Sequence, residues 1–177
     1  MRITGGILSG RRINVPGGSI RPAMDKMRES LFAILGDLSG KSFLDIFSGS
    51  GIIALEAASR GAVYVESVEF DRQKRKTLLE NTKISPVPIH CKFISAELYI
   101  KRARRDFDYI FLDPPFPYKF KYELIDAVIA SPLMNRETLL LMHFPREEKT
   151  EKPPIGVKIV DSREYGRSIL NFYKLSF

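Results

Sequence analysis

One cysteine and two histidines in 177 residues leave little room for redox or metal chemistry. Cys91 has no second cysteine with which to form an internal disulfide, so it reads as a small core residue. His90 and His143 are too few for a Cys/His metal cluster, and no metal is expected. No apolar run approaches the roughly 20 residues that span a bilayer, and the polar, glycine-rich start has no hydrophobic signal region. A cytoplasmic, soluble protein with no membrane partner is expected. Acidic residues are also in deficit: 21 Asp+Glu against 28 Lys+Arg leave a net charge of +7, which favours polyanions, nucleic acid among them.

What is present is enough for one compact domain. A hydrophobic content of 44% over 177 residues supports one core but not two full-sized domains. From Ser42 onward, short β-branched runs alternate with helix-like stretches, the pattern of a mostly parallel sheet wrapped by helices. The runs predict strands over Ser42–Phe47, Val63–Glu69, Ile89–Phe93, Phe107–Asp113 and Thr138–Phe144, with helices over Ile52–Arg60, Arg72–Lys83, Ala96–Lys101 and Lys121–Ala130. Val157–Ser162 and Ser168–Leu175 flank Arg163–Arg167, whose length and glycine predict a hairpin loop and antiparallel strands at the end. Residues 1–35 are different, with Arg2, Arg11, Arg12, Arg21, Lys26 and Arg28 against only Asp25 and Glu29. They are expected to form a basic extension, a β-hairpin plus a helix, ahead of a catalytic domain over 36–177. The apolar residues Met24, Met27, Leu31, Ile34 and Leu35 recur at helical spacing and would dock one face of that helix.

The run Leu44–Gly51 follows a strand and precedes a helix. Gly49 and Gly51 there would let backbone approach a ligand that faces the helix N-terminus. Glu69 lies 20 residues beyond Gly49, at the end of the second strand, where a carboxylate can accept hydrogen bonds from ribose hydroxyls. An adenosine-type ligand is implied. Ala54 completes a Gly-x-Gly-x-x-Ala spacing, so a dinucleotide site has to be weighed. Asp45 opposes it, because a carboxylate beside the loop repels a pyrophosphate. It suits S-adenosylmethionine, whose ammonium and sulfonium are both positive. At about 4 Å and an effective dielectric of 20 the charge interaction is near 4 kcal/mol before desolvation. Phe70 could pack on the adenine or serve as a core aromatic.

Asp113-Pro114-Pro115-Phe116 falls at the end of the fourth strand, on the same sheet edge as the glycine loop, where ligands of open α/β sheets gather. Two prolines stiffen the loop and supply carbonyls without amide donors. An exocyclic amine can then donate one hydrogen to the Asp113 carboxylate and the other to the Pro114 carbonyl. Its nitrogen would face the methyl, with Phe116 offering a stacking face for the base. The same tetrapeptide would serve any exocyclic amine, so an adenine-N6 methyltransferase on DNA or RNA is a second reading. A non-catalytic RNA-binding ribosome-assembly factor and a nicotinamide-dependent oxidoreductase are readings of other classes.

With these residues, the chain resembles the bacterial 16S rRNA guanine-N2 methyltransferase family, the small-subunit rRNA methyltransferase D type. The resemblance is carried by Met1–Gly6, Arg21–Phe32, the glycine loop on to Leu55-Glu56-Ala57 and Ser59–Ala62, and Asp113–Phe116. It implies a Rossmann-like methyltransferase fold with a seven-stranded sheet, an N-terminal extension that helps hold RNA, and a guanine of 16S rRNA, free or in the small ribosomal subunit particle, as target of a monomeric enzyme. The chain departs from the family in having Ala23 where Thr is usual and Ser95 where an acid commonly follows the third strand. The Ser95 hydroxyl or the Ala96 amide would then meet the adenine edge. Arg11, Arg12, Arg21, Arg28, Lys119 and Lys121 are expected to bracket the RNA backbone, contacts that position without reading sequence, and Tyr118 to assist stacking or simply to pack. Lys101, Arg102, Arg104 and Arg105 read as a solvated cluster at the opposite edge.

Overall fold

The computed structural model describes residues 1–15, 22–149 and 152–177. Arg21 and the Gly17-Gly18 pair lie outside the described residues. The strands are β1 (Ser42–Ile46), β2 (Tyr64–Val68), β3 (Ile89–Lys92), β4 (Tyr109–Leu112), β5 (Leu139–Pro145), β6 (Val157–Tyr165) and β7 (Ser168–Leu175), in one seven-stranded sheet of order β3-β2-β1-β4-β5-β7-β6. The first five pair in parallel, β7 runs antiparallel to β5, and β6 closes the edge against β7. Helices α1 (Pro22–Leu35), α2 (Ile52–Ser59), α3 (Arg75–Thr82), α4 (Ala96–Arg102) and α5 (Lys121–Ile129) accompany them.

Strands buried on both faces are mostly apolar: β4 is an unbroken apolar run, while β1 and β2 also bury Asp45, Glu66 and Ser67. Alternation along β1 sends Leu44 and Ile46 into one core, shared with α4 and α5, and Phe43 into the other, shared with α1 and α2. Phe43, Leu44 and Ile46 are fully buried, each burial contributing about 1.5–3 kcal/mol. The chain winds outward from β1 in one direction through β2 and β3 and in the other through β4 and β5. This reversal opens a crevice beyond the C-terminal ends of β1 and β4.

The predicted five-residue hairpin loop over 163–167 contracts to Gly166-Arg167, because Tyr165 pairs with Ser168 and Gly166 takes a φ of 59°. Edge strand β6 is half solvated, so the polar Arg163 and Glu164 continue it at no burial cost. The helix expected over 72–83 divides into a 3-10 turn, Arg72–Lys74, and α3; Asp71 starts the turn by accepting from the Gln73 amide at 3.0 Å. In the N-terminal arm, Arg2 and Arg12 form one antiparallel bridge, and Ile3 and Ile13 are buried with Met27, Leu31 and Phe32 against α2 and the sheet. The Glu56 carboxylate, fully buried on α2, ties this arm down: its Oε1 accepts from the Thr4 amide at 2.8 Å, the Thr4 hydroxyl at 2.9 Å and Arg28 Nε at 3.1 Å, while Oε2 pairs with Arg60.

Candidate active site

At the top of β1, Phe47 takes a left-handed φ of 68°, a strained choice for a residue with a Cβ. The turn it makes carries Ser48–Gly51 over the sheet edge. Gly51, with φ 82°, is required by space as well, since a Cβ there would lie 2.6 Å from Leu78 Cδ1; the Cβ direction of Gly49, φ 56°, is open. The Glu69 carboxylate, at the end of β2, accepts from the Gly49 amide at 2.8 Å through Oε2 and from the Asp71 amide at 2.8 Å through Oε1. Asp45 is buried beneath this loop. Its Oδ2 accepts from the Ser48 hydroxyl at 2.6 Å, whereas Oδ1 has no hydrogen-bond partner among the described residues. Burial above all pushes the Asp45 carboxyl up to about 7, against the pull of the Ser48 hydroxyl and, more weakly, the Ala54 amide, and the negative charges of Asp113 and Glu69 add to the rise. A cavity of about 200 Å³ opens here, lined by Asp45, Phe47, Ser48, Gly49, Ser50 and Asp113 among others.

A second cavity, of about 270 Å³, is walled by Glu69, Asp113, Pro114, Pro115, Phe116 and His143. The two share Met24, Phe47, Lys74 and Asp113, so Asp113 stands on their common wall. The Phe116 ring, 39% exposed, also lines the second cavity, 5.9 Å from the His143 ring. The loop is fastened from below. The buried Lys121 ammonium donates to the carbonyls of Phe116, at 2.7 Å, and Tyr118, and pairs with Glu148 at 3.0 Å. The Tyr118 hydroxyl donates to Glu97, and its ring packs edge-on against Phe47 at 5.5 Å. A larger cleft, of about 860 Å³, lies at the other end of the strands between α1, the end of α2 and the loop before β3. Its charged lining is Glu29, Asp37 and Arg60; Arg60 is committed to Glu56 and to the Phe32 ring, so no set of reactive groups converges there.

Asp45, Gly49, Gly51, Glu69, Asp113, Pro114 and Phe116 thus gather at one sheet edge. Phe70, next to Glu69, is 71% exposed and is no core aromatic. Ser95 is the N-cap of α4, its hydroxyl accepting from the Leu98 amide at 3.2 Å, and Ala96 opens the helix. Arg11, Arg12 and Lys119 are exposed. Arg28 is a correction: it is 3% exposed and commits its guanidinium to Glu56, to Asp25 at 2.9 Å and to the Arg2 carbonyl at 3.0 Å, leaving no face for a phosphate. Lys121 is another, being a buried loop clamp. Three residues escape sequence reasoning: Glu56, Lys74 and His143. His143 gives no signal of its own inside the apolar β5 run; the parallel register, with Leu112 beside Met142, is what sets it next to Asp113.

A family model described as conserved hypothetical protein 95 matches residues 1–174. The Ribosomal RNA small subunit methyltransferase D of Escherichia coli K12 is 27% identical over 98% of this chain and 89% of its own length. The protein of the same name from Haemophilus influenzae is 28% identical over 88% and 82%. The chain belongs to this family, the small-subunit rRNA methyltransferase D type. Among solved structures, the hypothetical protein TTHA0928 of Thermus thermophilus superposes with a TM-score of 0.84 at 26% identity, covering 99% of both chains. TrmN from Thermus thermophilus shares the fold over 84% of this chain and 48% of its own, with a TM-score of 0.71. The sheet is therefore that of an α/β methyltransferase, and in this family member its glycine loop and Asp113–Phe116 loop line two cavities that share Asp113.

Proposed function

We propose that this chain transfers a methyl group from S-adenosylmethionine to the exocyclic N2 amine of a guanine in 16S rRNA of the small ribosomal subunit. The observation that carries the reading is Asp113 on the wall common to both cavities, where one carboxylate can hold a target amine against a methyl donor in the neighbouring space.

The methyl donor is S-adenosylmethionine, which supplies an electrophilic methyl on a sulfonium. The residues beneath the glycine loop fit it. The unpartnered Asp45 Oδ1 offers an anionic acceptor to a cationic ligand, and pyrophosphate would meet only repulsion there. Glu69 stands at the position for ribose hydroxyls, Phe70 offers an exposed ring to the adenine, and the Ala96 amide, first of its helix, has no intrahelical acceptor and is free for the adenine edge. The Ser95 hydroxyl caps α4 and also hydrogen-bonds to the Glu97 carboxylate, which leaves the Ala96 amide as the contact for the adenine edge.

In the second cavity Phe116 stacks the extruded guanine, which offsets the few kcal/mol of unstacking. Asp113 Oδ2 and the Pro114 carbonyl each accept one amine hydrogen, turning the nitrogen lone pair out of conjugation and toward the donor cavity. As the new N–C bond forms, the donor's S–CH3 bond would break and leave a neutral thioether, and the nitrogen must lose one proton, which Asp113 Oδ2 accepts. Positioning of this kind contributes up to roughly 7–11 kcal/mol. Arg11, Arg12 and Lys119 contact the RNA backbone, and the 1–35 arm serves as their support. The test is transfer of labelled methyl to ribosomal RNA and to small-subunit particles lacking the modification. Incorporation into either supports the reading; folded, donor-binding protein that labels neither defeats it.

A further inference from the structure

His143 is fully buried on β5, and its Nδ1 lies 2.8 Å from Asp113 Oδ1. Its other ring nitrogen, Nε2, is sealed from solvent and has no hydrogen-bond partner among the described residues. These two facts fix the tautomer. A proton on Nε2 would bury an unpaired N–H and set the Nδ1 lone pair against a carboxylate oxygen. A proton on Nδ1 makes a charge-assisted hydrogen bond and leaves only a bare acceptor inside. Such an assignment comes from the bonding network. The sealed Nε2 also gives a proton no way out behind the ring, so the pair is not a relay.

Carboxylate torsions are broad and nearly two-fold when nothing holds them. Here the Nδ1–H anchors one oxygen toward β5. The Asp113 side chain is still 24% exposed, and Oδ2 has no protein hydrogen bond among the described residues, so Oδ2 is the oxygen offered to the cavity. We propose that His143 is a positioning residue: by holding Oδ1 it dedicates Oδ2 of Asp113 to the target amine and fixes the amine's direction relative to the donor. The role rests on the methyl-transfer reading above.

His143→Leu keeps bulk but removes the donor, and His143→Asn returns an N–H near the place of Nδ1. For His143→Leu we expect kcat to fall on the order of 10²-fold, the size of a misplacement of about 1 Å, with KM for RNA and donor affinity within about twofold of wild type. His143→Asn should recover most of that loss. Thermal melting of both variants reports folding. An unchanged kcat in His143→Leu, or Asn no better than Leu in folded protein, overturns the proposal. ¹⁵N-histidine NMR gives a readout free of activity: with only His90 and His143 in the chain, His90→Gln assigns the signals. His143 should be protonated at Nδ1, and its signal should move in Asp113→Ala. An Nε2–H tautomer, or a signal indifferent to Asp113→Ala, also overturns it. Should wild type methylate no RNA, the functional reading fails, while the tautomer and its response still decide the His143–Asp113 contact.

Discussion

The Lys121 ammonium donates to the Phe116 carbonyl at 2.7 Å from within the protein, and the same nitrogen reaches the Tyr118 carbonyl and the Glu148 carboxylate. One cation therefore ties both ends of the Phe116–Tyr118 stretch to the body. Lys121→Met keeps the stem and deletes the donors. It should lower stability by about 1–3 kcal/mol, the cost of leaving acceptors unpaired, and should raise KM for RNA as Phe116 loses its fixed place. Denaturant unfolding and steady-state kinetics check the two effects; unaltered KM would remove Lys121 from any role in substrate binding.

Asp113→Asn keeps the size of the side chain and removes the charge that accepts the amine proton. Methyl transfer should fall on the order of 10³-fold, with little change in melting temperature because the side chain serves a ligand at the sheet edge. Under a non-catalytic RNA-binding role, the variant would lose nothing measurable in RNA binding or in biological effect.

Asp45 gives a pH dependence with a definite sign. Its carboxyl is raised to about 7, chiefly by burial, so the folded chain holds a proton that the unfolded chain releases at its ordinary, lower value near 3.8. From this residue's contribution, stability is greatest below about pH 4 and declines as pH rises toward 7. Donor binding runs the other way, since a cationic ligand selects the ionised form: affinity should weaken about tenfold per pH unit below 7 and level off above it. Calorimetric titration with S-adenosylmethionine from about pH 5.5 to 8.5 measures this dependence, and Asp45→Asn should flatten the profile.

Much of the fold was legible because periodicity survives tertiary context in buried parallel strands. β7 runs over Ser168–Leu175 as the sequence predicts, and the 20-residue step from Gly49 to Glu69 becomes a 2.8 Å hydrogen bond. What stayed hidden was pairing across the chain. Glu56 sits inside the hydrophobic run of α2 and gives no sign that Thr4, Arg28 and Arg60 converge on it. Arg28 and Lys121 carry charges that, without coordinates, read as phosphate contacts. His143 lies in an apolar strand, and its partner is 30 residues earlier.

Glu56 itself sets a stability test. Removing a buried carboxylate that two guanidiniums share leaves the buried Arg28 with only the part-exposed Asp25, and takes from Arg60 its ion-pair partner. Glu56→Ala should cost about 3–5 kcal/mol, read by chemical denaturation, and loosen the N-terminal arm to proteolysis.

Arg11 and Arg12 are exposed, and neither has an acidic partner among the described residues. If they meet phosphates, replacing each with alanine should reduce the slope of log affinity against log salt by roughly 0.7–0.9 for RNA. An unchanged slope would place the backbone path elsewhere.

Nucleoside mass spectrometry of 16S rRNA treated with this protein and isotope-labelled S-adenosylmethionine reads the identity of the methylated atom directly. The expected result is label in N2-methylguanosine at one position. Label in N6-methyladenosine, or in no base of the small-subunit RNA, would contradict it.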